Sequence, residues 1–235
     1  MNAADPNVQR VELVAAALGD LCAELVLVGG CAASLLVDAP TAPPPRVTWD
    51  VDLIVEVATL RDYHTMEAQF EARGLQRDLS PDAPICRWRL GDVMVDLMPT
   101  DETVLGFANR WYPLATRTAT REMLPSGQQI RLIAAPAFLA TKLEAFRARG
   151  GADPLTSHDL EDVINVLEGC SHIEADVQAS EAEVRGYLAA QFADLIARPD
   201  FRDVLPGLVA YDELHAQRVQ AVLQKIHAIA TQPSP

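Results

Sequence analysis

The sequence predicts an α+β protein: strands and helices share residues 1–135, and a helical lobe follows over 136–235. Three observations predict it. Short β-branched apolar runs at 24–28, 49–57, 85–98 and 130–133 read as strands, and helically spaced apolar residues stand before and between them. After Pro136 no strand-like run recurs, so the lobe boundary is placed at 134–136.

Val8, Val11, Leu13, Val14, Ala17 and Leu18 recur at near-helical spacing and predict an N-terminal amphipathic helix ending at Gly19-Asp20. Residues 24–28 then form a short buried strand that stops at Gly29-Gly30, and small residues over 31–37 resume as a helix. The unit is strand, glycine turn, helix. Residues 38–48 carry four prolines, each of which removes a donor and fixes its dihedral, so this segment is a loop.

In the strand at 49–57, Asp50 and Asp52 alternate with Val51 and Leu53, which puts two carboxylates on one face and apolar groups on the other. A helix over 61–73 is closed by Gly74. Runs at 85–90 and 93–98, separated by Gly91-Asp92, predict a β-hairpin in which Met94, Asp96 and Met98 share a face. A short strand at 130–133 precedes Pro136, which opens a helix running through Lys142 to Arg149. Further helices are expected at 158–168, 179–197 and 212–230, broken at Gly150-Gly151, Pro154, Gly169, Pro199 and Pro206-Gly207, with a frayed tail from Thr231.

Bulk composition narrows the function. The formal charge of −14, from 33 acidic against 19 basic residues, weighs against a protein that coats nucleic acid by counterion release. No apolar run has the length of a membrane span, and the N-terminus is polar and acidic rather than a basic stretch leading into an apolar one, so a cytoplasmic protein is expected. Cys22, Cys31, Cys86 and Cys170 stand at irregular spacings without a Cys-x-x-Cys pair, which predicts reduced, partly buried thiols. Trp49, Trp88 and Trp111 are expected in the core, and the histidines show no metal-ligand spacing.

The chemistry lies in the aspartates. Two carboxylates on one strand face must repel or share a cation, and a divalent metal resolves that conflict. Asp96, set among apolar residues on another strand, is the third carboxylate that a two-metal site needs, since an unpaired buried carboxylate is costly. Its alternative is a salt bridge across the hairpin to Arg87 or Arg89, which share a strand face and could instead contact phosphate. Gly29-Gly30 supplies the second half of the site, because backbone N–H groups at a helix start bind an anion closely only where no Cβ obstructs it.

In chain order, strand, Gly-Gly, helix, Asp-x-Asp and a later lone Asp resemble the DNA polymerase β-like nucleotidyltransferase superfamily. Within it, Val28-Gly29-Gly30, Thr48-Trp49-Asp50-Val51-Asp52-Leu53 and Val95-Asp96-Leu97 make the chain most similar to the AbiE-type (AbiEii/AbiGii) toxin nucleotidyltransferases. So do Lys142-Leu143-Glu144-Ala145-Phe146 and His158-Asp159-Leu160-Glu161-Asp162-Val163. The resemblance covers roughly residues 24–168. It implies a mixed central sheet with flanking helices, Mg²⁺ or Mn²⁺ held by Asp50, Asp52 and Asp96, and an NTP such as ATP held by Gly29, Gly30, Lys142 and Asp159. It also implies transfer of a nucleoside monophosphate to tRNA or protein, and a cognate antitoxin as partner. A small-molecule acceptor such as an aminoglycoside, and a non-catalytic nucleotide-binding protein, are the alternatives. Two departures stand out: nineteen residues, including the proline-rich loop, separate Gly30 from Asp50, and His158 stands where the family often has Arg or Lys.

Overall fold

A computed structural model describes residues 2–39, 42–149 and 153–232. It is α+β, and its contacts divide the chain into two compact units, Met1–Leu35 with Arg46–Ala134, and Leu36–Pro45 with Ala135–Pro235. The expected break at Gly150-Gly151, Pro40 of the loop and the last residues of the tail lie outside the described residues.

The first unit opens with α1 (Pro6–Leu18), capped by the Asp5 carboxylate accepting from the Asn7 amide and started by a proline whose missing N–H costs nothing there. A 3₁₀ turn leads to β1 (Leu25–Val28), buried throughout, and α2 (Gly29–Leu36) starts directly on the glycine pair. Then come β2 (Asp50–Val55), α3 (Leu60–Ala72, capped by Thr59), β3 (Gln76–Arg77), β4 (Arg87–Leu90) and β5 (Val93–Pro99). The unit ends with α4 (Glu102–Leu105), α5 (Tyr112–Thr118), β6 (Thr120–Met123) and β7 (Gln129–Leu132). The sequence reading missed β3, α4, α5 and β6, which are short and carry no sustained apolar period.

Among the described residues the strands form one seven-stranded sheet in the order β3-β4-β5-β2-β1-β7-β6. It is mixed: β2 pairs with β5 and β1 with β7 in parallel, while the other neighbours are antiparallel. Strand partners in register project to the same face. Leu25, Leu27, Val51 and Leu53 point to one face, where Val11, Val14 and Leu18 of α1 cover them. Trp88 lies on that face beside Val95, and its ring meets Phe70 of α3 edge-on at 5.7 Å. Tyr63 of α3 donates a hydrogen bond to the Leu97 carbonyl at 2.8 Å. With one face committed to this core, the residues between these positions are forced to the other.

The second unit is helical: α6 (Ala135–Ala148), α7 (His158–Gly169), α8 (Ile173–Ala179), α9 (Ala182–Ala197), α10 (Pro199–Leu208) and α11 (His215–Ala230), with Phe138, Phe192 and Phe201 fully buried. Two expectations are corrected here. The helix read from 179 begins at Ala182, with α8 separate before it, and residues 199–208, read as a break, are helical. Pro199 occupies the first turn of α10, where no N–H is needed, and Pro206 falls two residues before its end. Part of the proline-rich loop, assigned from sequence to the first domain, contacts this unit instead. The Asp38 and Ala39 amides both donate to the Gly169 carbonyl, and Ser171 donates twice to the Asp38 carboxylate. Gly169 is small for this reason, since a Cβ there would meet both Val37 methyls at 2.7 Å.

Candidate metal and phosphate site

Register builds the site. Arg87 on β4 pairs with Asp96 on β5, Asp96 with Asp52 on β2, and Asp52 with Val28 on β1, so one row crosses four strands and ends beside Gly29. Asp50 lies two residues before Asp52 on the same face. A ligand oxygen from each of Asp50, Asp52 and Asp96 lies within 4.8 Å of the others. Among the described residues this is the one group of acidic, His or Cys side chains so placed. Asp96 is buried and the other two are half-buried.

An all-oxygen carboxylate donor set suits a hard divalent cation such as Mg²⁺ or Mn²⁺. The backbone has been cleared for it. Gly29 has φ +67°, which residues with a Cβ rarely adopt, and a Cβ there would overlap the Asp52 carboxylate. The pair differs internally: a Cβ on Gly30 would only press on the Thr48 side chain at 3.1 Å. Gly29 is therefore needed to seat Asp52. The sequence reading explained it only by a phosphate.

Two supporting residues were missed. The Thr48 hydroxyl donates to Asp50 Oδ1 at 2.7 Å, fixing that carboxylate, and the Thr48 amide donates to Asn7 Oδ1 at 2.9 Å. Asn7, fully buried, also donates to Ser34 Oγ and to the Arg46 carbonyl. It thereby ties α1, α2 and the end of the loop to the start of β2. A buried, hydrogen-bonded asparagine is costly to lose. A polar residue on the apolar side of a predicted helix was the available signal.

Arg87 takes the salt-bridge role offered as the alternative for Asp96. Its Nε donates to Asp96 Oδ1 at 2.8 Å and its terminal nitrogen to Asp96 Oδ2 at 2.7 Å, and the same nitrogen reaches Asp50 Oδ2 at 3.4 Å. These Asp96 contacts hold the guanidinium even further above its already high pKa, so it stays charged. Arg89 points elsewhere, to Asp78 at 3.7 Å. Burial, reinforced by Asp52 and Asp50, pushes the Cys31 thiol up, so it is no nucleophile beside them.

Lys142 and Asp159 fall in the helical unit, bonded to each other at 3.3 Å. Lys142 also meets Asp162 at 2.7 Å, and Arg149 holds the second Asp159 oxygen at 2.7 Å. Lys142 is thus not the solvated surface lysine its type alone suggests. Trp88 and Trp111 are buried as expected, but Trp49 is 68% exposed, with the Arg10 guanidinium 4.9 Å from its ring centre. It stands at the end of the loop before β2, its side chain turned away from the buried Thr48 beside it. All four cysteines are free and buried. No helix among the described residues is long and apolar enough to cross a membrane.

No protein-family model and no curated protein sequence matches the chain. Among solved structures, it is similar to the antibiotic-resistance factor ANT(2'')-Ia, at a TM-score of 0.47 and 18% identity over 81% of this chain and 95% of that one. It is also similar to JHP933 from Helicobacter pylori, at a TM-score of 0.49 and 12% identity over 98% of this chain and 94% of that one.

Proposed function

We propose that the chain is a divalent-metal-dependent nucleotidyltransferase of the polymerase β-like kind, moving a nucleoside monophosphate from an NTP to an acceptor hydroxyl. One observation carries this reading: three carboxylates within 4.8 Å of one another, beside a glycine whose missing Cβ makes room for one of them. Charges that repel are kept together at a conformational cost, which a protein that merely folds has no reason to bear.

Asp50 and Asp52 would hold the cation, with Asp50 oriented by Thr48, and Asp96 would complete the set and accept the acceptor's proton. A bound divalent cation neutralises charge developing on the triphosphate as pyrophosphate leaves. The amides at the start of α2 would receive phosphate oxygens, where the helix dipole favours them. Lys142 and Asp159 are carried as nucleotide contacts on the AbiE-type resemblance alone.

That same resemblance supports a toxin acting on tRNA or protein, with an antitoxin as partner. A second reading, a cationic small molecule such as an aminoglycoside as acceptor, is favoured by the net charge of −14. The test is incubation with each labelled NTP, Mg²⁺ and either total tRNA or an aminoglycoside panel. Label transfer that disappears in Asp96→Ala supports the reading. No transfer to any acceptor, with wild type and Asp96→Ala alike, overturns it, and NTP binding without transfer would mark a binding protein.

A further inference from the structure

We propose that Arg87 is a resident counter-cation of the carboxylate cluster, holding Asp96 in place and competing with the divalent cation, so that it sets the metal affinity of the resting protein. The inference rests on the metal-site reading above and adds a residue to it.

Its position is built in by register, not by a flexible reach. Arg87 stands directly across the β4–β5 pair from Asp96, on the face that Asp52 and Asp50 share. Its side chain is only 19% exposed, and its fork engages both Asp96 oxygens while the tip extends to Asp50. Two of the three candidate metal ligands therefore already face a permanent positive charge.

The charge count has a direct consequence. The guanidinium offsets one unit of the negative charge that Asp96 and Asp50 carry. Removing the guanidinium makes the cluster one unit more negative and frees acceptor lone pairs on Asp96 and Asp50, and both changes favour an incoming cation. Unit charges a few ångströms apart near a protein surface interact strongly enough to move a binding constant about tenfold or more. A guanidinium that only preorganised Asp96 would have the opposite effect, since its loss would let Asp96 rotate away and weaken binding.

The decisive measurement is Mn²⁺ titration of the nucleotide-free protein, following the free-ion electron paramagnetic resonance signal. Arg87→Met, which keeps the apolar stem, should bind Mn²⁺ about tenfold or more tightly than wild type. Arg87→Lys, which keeps the charge but not the fork, should stay close to wild type. If Arg87→Met folds only with metal, its melting temperature should rise more steeply with Mn²⁺ than that of wild type, because the metal then stabilises the folded state by mass action. Equal or weaker Mn²⁺ binding by Arg87→Met overturns the proposal. If neither wild type nor Arg87→Met binds Mn²⁺, the metal site falls with it. A failed transfer assay alongside a clear Mn²⁺ difference removes only the transferase reading.

Discussion

The chain holds two clusters of acids and bases, and the way their charges are paired differs. On the sheet, three carboxylates gather on one face, two of them in contact with the Arg87 guanidinium, and the third, Asp52, is seated only because Gly29 has no side chain. In the helical unit, Asp159 and Asp162 meet Lys142 and Arg149, two acids to two bases, in a contact that links α6 to α7. In the first the guanidinium engages Asp96 and Asp50, whereas in the second both carboxylates are bonded to cationic side chains. Carboxylates gathered on one face invite a cation, whereas a buried acid paired to a lysine is a fastening between helices whose loss leaves a charge stranded.

The largest expected effect tests the carboxylate cluster. Asp52→Asn should lower nucleotidyl transfer by about a thousandfold, as losing a group that stabilises transition-state charge does. Mn²⁺ binding should weaken with it, and unchanged Mn²⁺ binding would argue that Asp52 is no ligand of the cation.

Asp162→Asn should act on stability. Asp162 is 1% exposed and its partner Lys142 13%, and breaking a buried pair costs about 3 kcal/mol. Calorimetry should show the loss as a clear drop in melting temperature. If Lys142→Met instead leaves stability intact and raises only the KM for NTP, the helical cluster is part of the nucleotide site.

Next in size, Gly29→Ala should destabilise by about 1–3 kcal/mol from the strained backbone and displace Asp52, weakening Mn²⁺ binding. Gly30→Ala, pressing only on a threonine side chain, should cost less in both measurements. Thr48→Val should lower turnover by about tenfold, roughly the worth of one hydrogen bond to a charged group, with little change in thermal stability.

The smallest effect is a non-reaction. Burial pushes the Cys22 thiol up to about 11 and the Cys86 thiol up to about 12, so at pH 8 few thiolates exist in the folded protein. A colorimetric thiol reagent should stay unreacted until denaturant is added. Fast labelling of Cys86 would mean that β4, and with it Arg87, opens readily.

Much of this was legible before any coordinates. The alternation of Asp50 and Asp52 with Val51 and Leu53, the glycine pair ending a β-branched run, and Asp96 among apolar residues are local patterns, because strand geometry assigns side chains to faces with a period of two. The α+β class followed from the same periodicities. Short elements such as β3 and α4 escaped, since two to four residues carry no period and form only because neighbours complete their hydrogen bonds.

What the tertiary structure alone decided was partnership. Sequence offered Arg87 and Arg89 equally to Asp96, and only the hairpin register aligned the first with it and sent the second to Asp78. Sequence explained Gly29 by a phosphate, whereas packing showed the Asp52 carboxylate occupying the space a Cβ would need. Asn7 showed only as a polar residue on the apolar side of its helix, and its task was hidden because its three partners come from two segments far along the chain. Local chemistry writes which groups are present and which way each strand turns them, but the distances between strands, and so the charge each group must live beside, arise only when the sheet closes.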